Sequence, residues 1–155
     1  MLNNTNITQL EKEGYTVVKG YLDVEVAKEY NTQLWAVYRQ LVKPVKLHSG
    51  MIQYLGHTKP QWELRHLCKG IFEQLWKTSD LVTSFDGFCI MDGDSRVQRV
   101  PPDAFLHRDQ KLTSAELLTY QGLISLSDNM DVESGGFVCV PKSHLTTEVD
   151  YKVKD

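Results

Sequence analysis

The sequence predicts an α+β domain, with helices in its first half and antiparallel strands after them. Two observations carry that prediction. Up to about residue 80, apolar residues recur at three- and four-residue steps, the period of an amphipathic helix. From Leu81 onward, short β-rich runs alternate with turn residues. Helices followed by successive short strands favour an antiparallel sheet with helices set to one side. Gly/Ser linkers, internal repeats and low-complexity tracts are all lacking. The expected organisation is therefore one domain over 1–155, helical scaffold over 1–80 and strands over 81–141.

In the first element, Thr8-x-x-Glu11 resembles a capping box, and Gly14 stands where a short helix would stop. "YTVVK", Tyr15 to Lys19, reads as a short strand. Asp23 can cap a long helix whose apolar stripe is Ala27, Tyr30, Leu34, Tyr38 and Leu41, closed by Pro44. Another helix follows Pro60, with Leu64, Leu67, Ile71, Phe72 and Leu75 on one side. Both long helices read as scaffold.

In the second half, "LVTSFDGFCIM" is strand-rich around Asp86-Gly87, and "DGD" at Asp92–Asp94 is a turn. "RVQRV" alternates, Pro101-Pro102 interrupts, and "AFLHRDQ" reads as a further strand. "LLTYQGLISLS", Leu117 to Ser127, is the strongest candidate for a buried strand. A polar loop then leads to "FVCVP".

Composition narrows the function classes. At 155 residues the chain is long enough for a real core, and 41% hydrophobic with 24% charged residues is ordinary for a globular protein. A net charge of −3 with no dense Lys/Arg block gives no general attraction for nucleic acid or for an anionic membrane. No apolar run reaches the roughly 20 residues that span a bilayer, and "MLNNTNITQL" lacks the pattern of a signal peptide. Cys68, Cys89 and Cys139 are odd in number and widely spaced, which argues against a disulfide framework or a cysteine zinc site. A reducing, cytoplasmic setting is the expectation.

The candidate chemistry lies in "DAFLHRDQKL". In a strand, His107 and Asp109 would share one face, with Arg108 pointing away. An imidazole and a carboxylate side by side form two corners of the 2-His-1-carboxylate triad that binds Fe(II) and leaves positions open for a co-substrate and oxygen. With 5 histidines and 20 acidic residues in the chain, a His-x-acid triplet arises by chance often. The plain alternative is an exposed strand whose His and Asp make ordinary hydrogen bonds.

The surroundings favour the metal. His107-x-Asp109-Gln110, Gln121-Gly122 opening a strand, Gly135-Gly136, and Pro141-Lys142-Ser143-His144 form an ordered set. Together with "EKEGYTVVKGYLDVEVAKEYNTQLW" and "IFEQLWKTSDLVTSFDGFCIM" upstream, that set resembles the phytanoyl-CoA dioxygenase family of Fe(II)/2-oxoglutarate-dependent oxygenases. The resemblance extends over nearly the whole chain. It implies a double-stranded β-helix, a jelly roll of cupin type, with amino-terminal helices packed on the sheet. It implies His107 and Asp109 as iron ligands and Gln121 as a contact to the co-substrate pocket. The reaction implied is hydroxylation of a small molecule, with 2-oxoglutarate converted to succinate and CO2. His144 matches a family histidine whose role is structural, so capping a turn is its expected task. Trp62, Trp76 and Tyr120 are candidates for lining a pocket, with core as the commoner use. Arg96 and Arg99 are candidates for holding an anion.

The resemblance also leaves a gap. The family's second iron-ligand histidine and its 2-oxoglutarate arginine lie beyond the Pro-x-Ser-His turn, and "LTTEVDYKVKD", which follows His144, holds neither residue type. The jelly roll is thus expected to be incomplete at the C-terminus, and catalysis by this chain alone is an open question. Three explanations fit: a fragment, a relic, or a half that a second chain completes. A non-catalytic β-domain binding a partner through its open sheet edge is the alternative function.

Overall fold

The computed structural model describes residues 1–40, 47–48, 51–52, 55–85, 87–90, 97–98, 106–107, 109–110, 116–129 and 136–146. Among them are three α-helices, α1 (Asn4–Glu13), α2 (Val24–Arg39) and α3 (Lys59–Trp76). Four two-residue strands accompany them: β1 (Leu47–His48), β2 (Met51–Ile52), β3 (Phe88–Cys89) and β4 (Val97–Gln98). The chain divides into two compact units. One comprises Met1, Gly20–Val100 and Ile124–Gly136; the other comprises Leu2–Lys19, Pro101–Leu123 and Phe137–Asp155.

In the first unit, α2 begins where expected, with the Asp23 carboxylate accepting from the Glu25 amide at 2.8 Å. Thr58 precedes α3, and its hydroxyl donates to Gln61 Oε1 at 2.6 Å. Pro60 sits in the first turn of α3, where a missing N–H costs nothing. The core forms where α2 and α3 turn their apolar stripes inward: Leu34 and Leu64 cluster with Ile52, Phe88 and Ile90. Tyr30, Tyr38, Ile124 and Leu126 pack against that cluster. One hydroxyl adds a polar tie to α3: Tyr21 donates to the Leu67 carbonyl at 2.8 Å. Leu67 itself stays exposed, although its place in the periodic stripe put it on the inner face.

The strands pair only locally. β1 runs parallel to β4, with Leu47 opposite Val97 and His48 opposite Gln98. β2 runs antiparallel to β3, with Met51 opposite Cys89 and Ile52 opposite Phe88. β3 and β4 fall inside runs that read as strands, whereas β1 and β2 do not. Pro44 and the Asp92–Asp94 turn lie outside the described residues.

In the second unit, α1 is capped by Asn3 rather than near Thr8. The Asn6 amide donates to Asn3 Oδ1 at 2.9 Å, and the Asn3 amide donates back to Asn6 Oδ1 at 3.2 Å. Asn serves at both positions because its side chain offers a carbonyl oxygen to a backbone donor. Gly14 ends the helix at φ +82°, in the left-handed region. The segment after it is not a strand. Asn6 donates to Thr16 Oγ1 and to the Val17 carbonyl, and Thr16 donates to Gln9, so the segment is tied to α1 by side chains and only the Val17 carbonyl of its backbone is engaged by them.

The expected jelly roll is not the fold. Among the described residues each pairing joins two strands only, and neither a larger sheet nor a barrel is present. Residues 117–127 and 136–140 are not assigned to strands, and Leu117, Leu118, Leu123, Phe137 and Val138 are exposed. The boundary between the two units cuts through Leu117–Ser127 at Leu123 and Ile124. The physical reason is that an apolar, β-branched run states a preference for a half-buried pleated surface, and the neighbouring strand must supply that surface. Only Ile124 and Leu126 reach the core, alternating with the exposed Ser125 and Ser127.

Candidate functional site

His107 and Asp109 belong to the second unit, in chain outside any helix or strand. The strand premise therefore fails locally, yet the two side chains meet: His107 Nε2 lies 3.1 Å from Asp109 Oδ1. Both are about half exposed, at 60% and 49% of the side chain. Water therefore reaches the pair, and a polar contact so exposed contributes little to stability.

The other carboxylate oxygen, Oδ2, accepts from Gln121 Nε2. The structure thus brings together His107, Asp109 and Gln121, with Gln121 bound to the carboxylate. Next to Asp109, Gln110 makes a two-way contact that sequence reasoning missed. Its Nε2 donates to the Glu116 carbonyl, and its Oε1 accepts from the Leu118 amide at 2.9 Å. One side-chain amide so placed satisfies a backbone acceptor and a backbone donor together, as a strand neighbour would. The Asp-Gln dipeptide was the only signal in the sequence, and it carries no long-range information.

These donors can be tested against a ferrous ion. An imidazole nitrogen and a carboxylate oxygen at adjacent positions suit two of the three protein positions of a facial triad. Among the described residues no group of three or more His, Cys, Asp or Glu side chains gathers to hold a metal. The described residues thus fit two of the three positions, and no catalytic step can be derived from them.

His144 lies elsewhere in the same unit, in the 3-10 turn Ser143–Leu145. Its Nε2 is 3.0 Å from the Glu11 carbonyl, and the Lys142 amide donates to the Glu13 carbonyl at 2.8 Å. A carbonyl oxygen can only accept, so Nε2 carries the proton. The turn closes the last carbonyls of α1, a structural task.

The aromatic candidates separate. Trp62 and Trp76 are on α3 in the first unit; Tyr120 is in the second and half-buried. Trp62 makes an edge contact with Phe85 at 5.8 Å between centroids, and His57 stacks on Phe85 at 4.4 Å. The Arg65 guanidinium lies 5.0 Å over Trp62. The Trp62–Arg65 spacing of three on a helix could have revealed that contact; the loop residues His57 and Phe85 gave no signal. Arg96 and Arg99 lie outside the described residues.

Among the described residues no helix is long and apolar enough to cross a membrane. Compared with protein families, curated proteins and solved structures, the chain matches no family model, no curated protein and no solved structure.

Proposed function

We propose that this chain is an Fe(II)/2-oxoglutarate-dependent dioxygenase-like protein acting on a small molecule, with His107 and Asp109 as two of its iron ligands. The observation that carries the reading is the approach of His107 Nε2 to Asp109 Oδ1 at 3.1 Å, although no strand holds them. The ordered motifs around the pair support it. Bound iron would supply the oxidising chemistry that couples decarboxylation of 2-oxoglutarate, to succinate and CO2, to hydroxylation of a C–H bond. The chain's own part is to offer one imidazole and one carboxylate side by side.

Anaerobic titration with Fe(II), followed by calorimetry, tests the metal. Micromolar binding lost in both His107→Ala and Asp109→Ala is the expected result; undetectable binding by the unaltered chain overturns it. Succinate formation from 2-oxoglutarate under oxygen then tests the reaction.

A second reading, a non-catalytic partner-binding domain, draws on a separate observation. Leu117, Leu118, Leu123, Phe137 and Val138 are each more than half exposed within one unit. Exposed apolar side chains that join into one contiguous patch mark an interaction surface. Concentration-dependent mass in sedimentation, with no Fe(II) binding, would favour this reading.

A further inference from the structure

A lone exposed aspartate is a poor metal ligand, because its carboxylate rotates freely and must be immobilised when the ion arrives. We infer that Gln121 is a positioning residue that fixes the aim of the Asp109 carboxylate toward a divalent cation shared with His107. The inference rests on the metal reading proposed above. It differs from the co-substrate contact that the family resemblance implies for Gln121.

A carboxylate turns about a broad, roughly two-fold torsion. Here both its oxygens are engaged: Oδ2 accepts from Gln121 Nε2, and Oδ1 faces His107 Nε2 at 3.1 Å. Only the amide nitrogen of Gln121 can face a carboxylate oxygen, so the orientation of that amide follows from chemistry. With Oδ2 occupied, Oδ1 remains the atom beside the imidazole nitrogen.

Gln121 is itself held in register by the residue next to Asp109. Gln110 pairs with the backbone of Glu116 and Leu118, three residues before Gln121. Two consecutive side chains, Asp109 and Gln110, thus grasp one returning segment. Partners that orient a metal ligand from behind typically change metal affinity by about 10–100-fold when removed. Preorganisation of this kind acts by lowering the ordering cost of binding.

Co(II) is the probe, titrated into the full 155-residue chain and read by calorimetry and visible absorption. Gln121→Met keeps the side chain's length and removes the donor. It should weaken Co(II) binding by about 10–100-fold and alter the cobalt absorption band, as the freed carboxylate changes its mode of contact. Circular dichroism should be unchanged, since Gln121 is exposed. In metal-free protein, the side-chain amide resonance of Gln121 should move in Asp109→Asn. Wild-type binding with Gln121→Met within about twofold of it overturns this inference alone. No Co(II) binding by wild type overturns the metal reading and this inference together. An amide resonance indifferent to Asp109→Asn overturns the contact itself.

Discussion

His144 Nε2 donates to the Glu11 carbonyl at 3.0 Å, so a turn near the end of the sequence seals the last turn of α1. The imidazole also lies against Gly14. A Cβ at that glycine would come within 2.4 Å of His144 Nδ1. Two separate penalties therefore oppose any side chain at position 14: its φ of +82° and the ring beside it.

Those penalties can be measured apart. Gly14→Ala should cost about 1–2 kcal/mol from the left-handed backbone alone, with a further loss from the clash. In a His144→Ala background the clash disappears and only the backbone cost remains. Urea unfolding of the four proteins in that cycle should show coupling of about 0.5 kcal/mol or more. Strict additivity would mean that the ring does not touch Gly14 in solution.

The core cluster predicts a steep contrast between neighbours in sequence texture. Leu34→Ala and Leu64→Ala, at 6% exposure each, should each destabilise by about 2–5 kcal/mol. Val82→Thr, at a position that is fully exposed, should stay within about 0.5 kcal/mol of wild type. Denaturant midpoints check both. Equal losses at Leu64 and Val82 would contradict the described packing.

Helix starts supply a third test. Asp23→Ala removes the acceptor for the Glu25 amide and should cost about 1 kcal/mol. Asp23→Asn keeps an acceptor oxygen and should recover most of that loss. Helicity and midpoint should fall together in the first variant and return in the second.

Alkaline pH should weaken the fold through two acids of the first unit, the buried Cys68 and the part-buried Tyr21. Burial pushes the Cys68 thiol upward, and burial together with nearby Cys68 raises the Tyr21 hydroxyl. The folded chain then holds these protons to higher pH than the unfolded chain does. Their contribution is complete below the unfolded values, which begin near pH 9 for the thiol, and declines as pH rises through the folded ones. Cys68→Ala should flatten the fall in urea midpoint between about pH 8 and about pH 10.5. An unchanged slope would place the titration elsewhere.

Local signals in the sequence marked several helix ends, though not the start of α1. Asp23, Pro60 and Gly14 mark ends because each acts through its own backbone or its next turn: a carboxylate meeting an amide two residues on, a ring suited to a first turn, a glycine free to take positive φ. The stripe through Tyr30, Leu34 and Tyr38 identified the face of α2 that meets the core. His107 and Asp109 meet as neighbours two residues apart, although the strand that was expected to hold them on one face is absent.

What only the tertiary structure decided is whatever needs a distant partner. Leu117–Ser127 reads as a buried strand by composition, but its fate depends on which surface it meets, and the unit boundary divides it. Tyr15–Lys19, expected as a strand, is instead tied to α1 through Asn6 and Gln9. The grip of Gln110 on Glu116 and Leu118, and of Gln121 on Asp109, joins residues whose types alone carry no hint of each other. Backbone propensity is written residue by residue, whereas a strand's stability and a ligand's aim come from neighbours that the chain brings in from elsewhere.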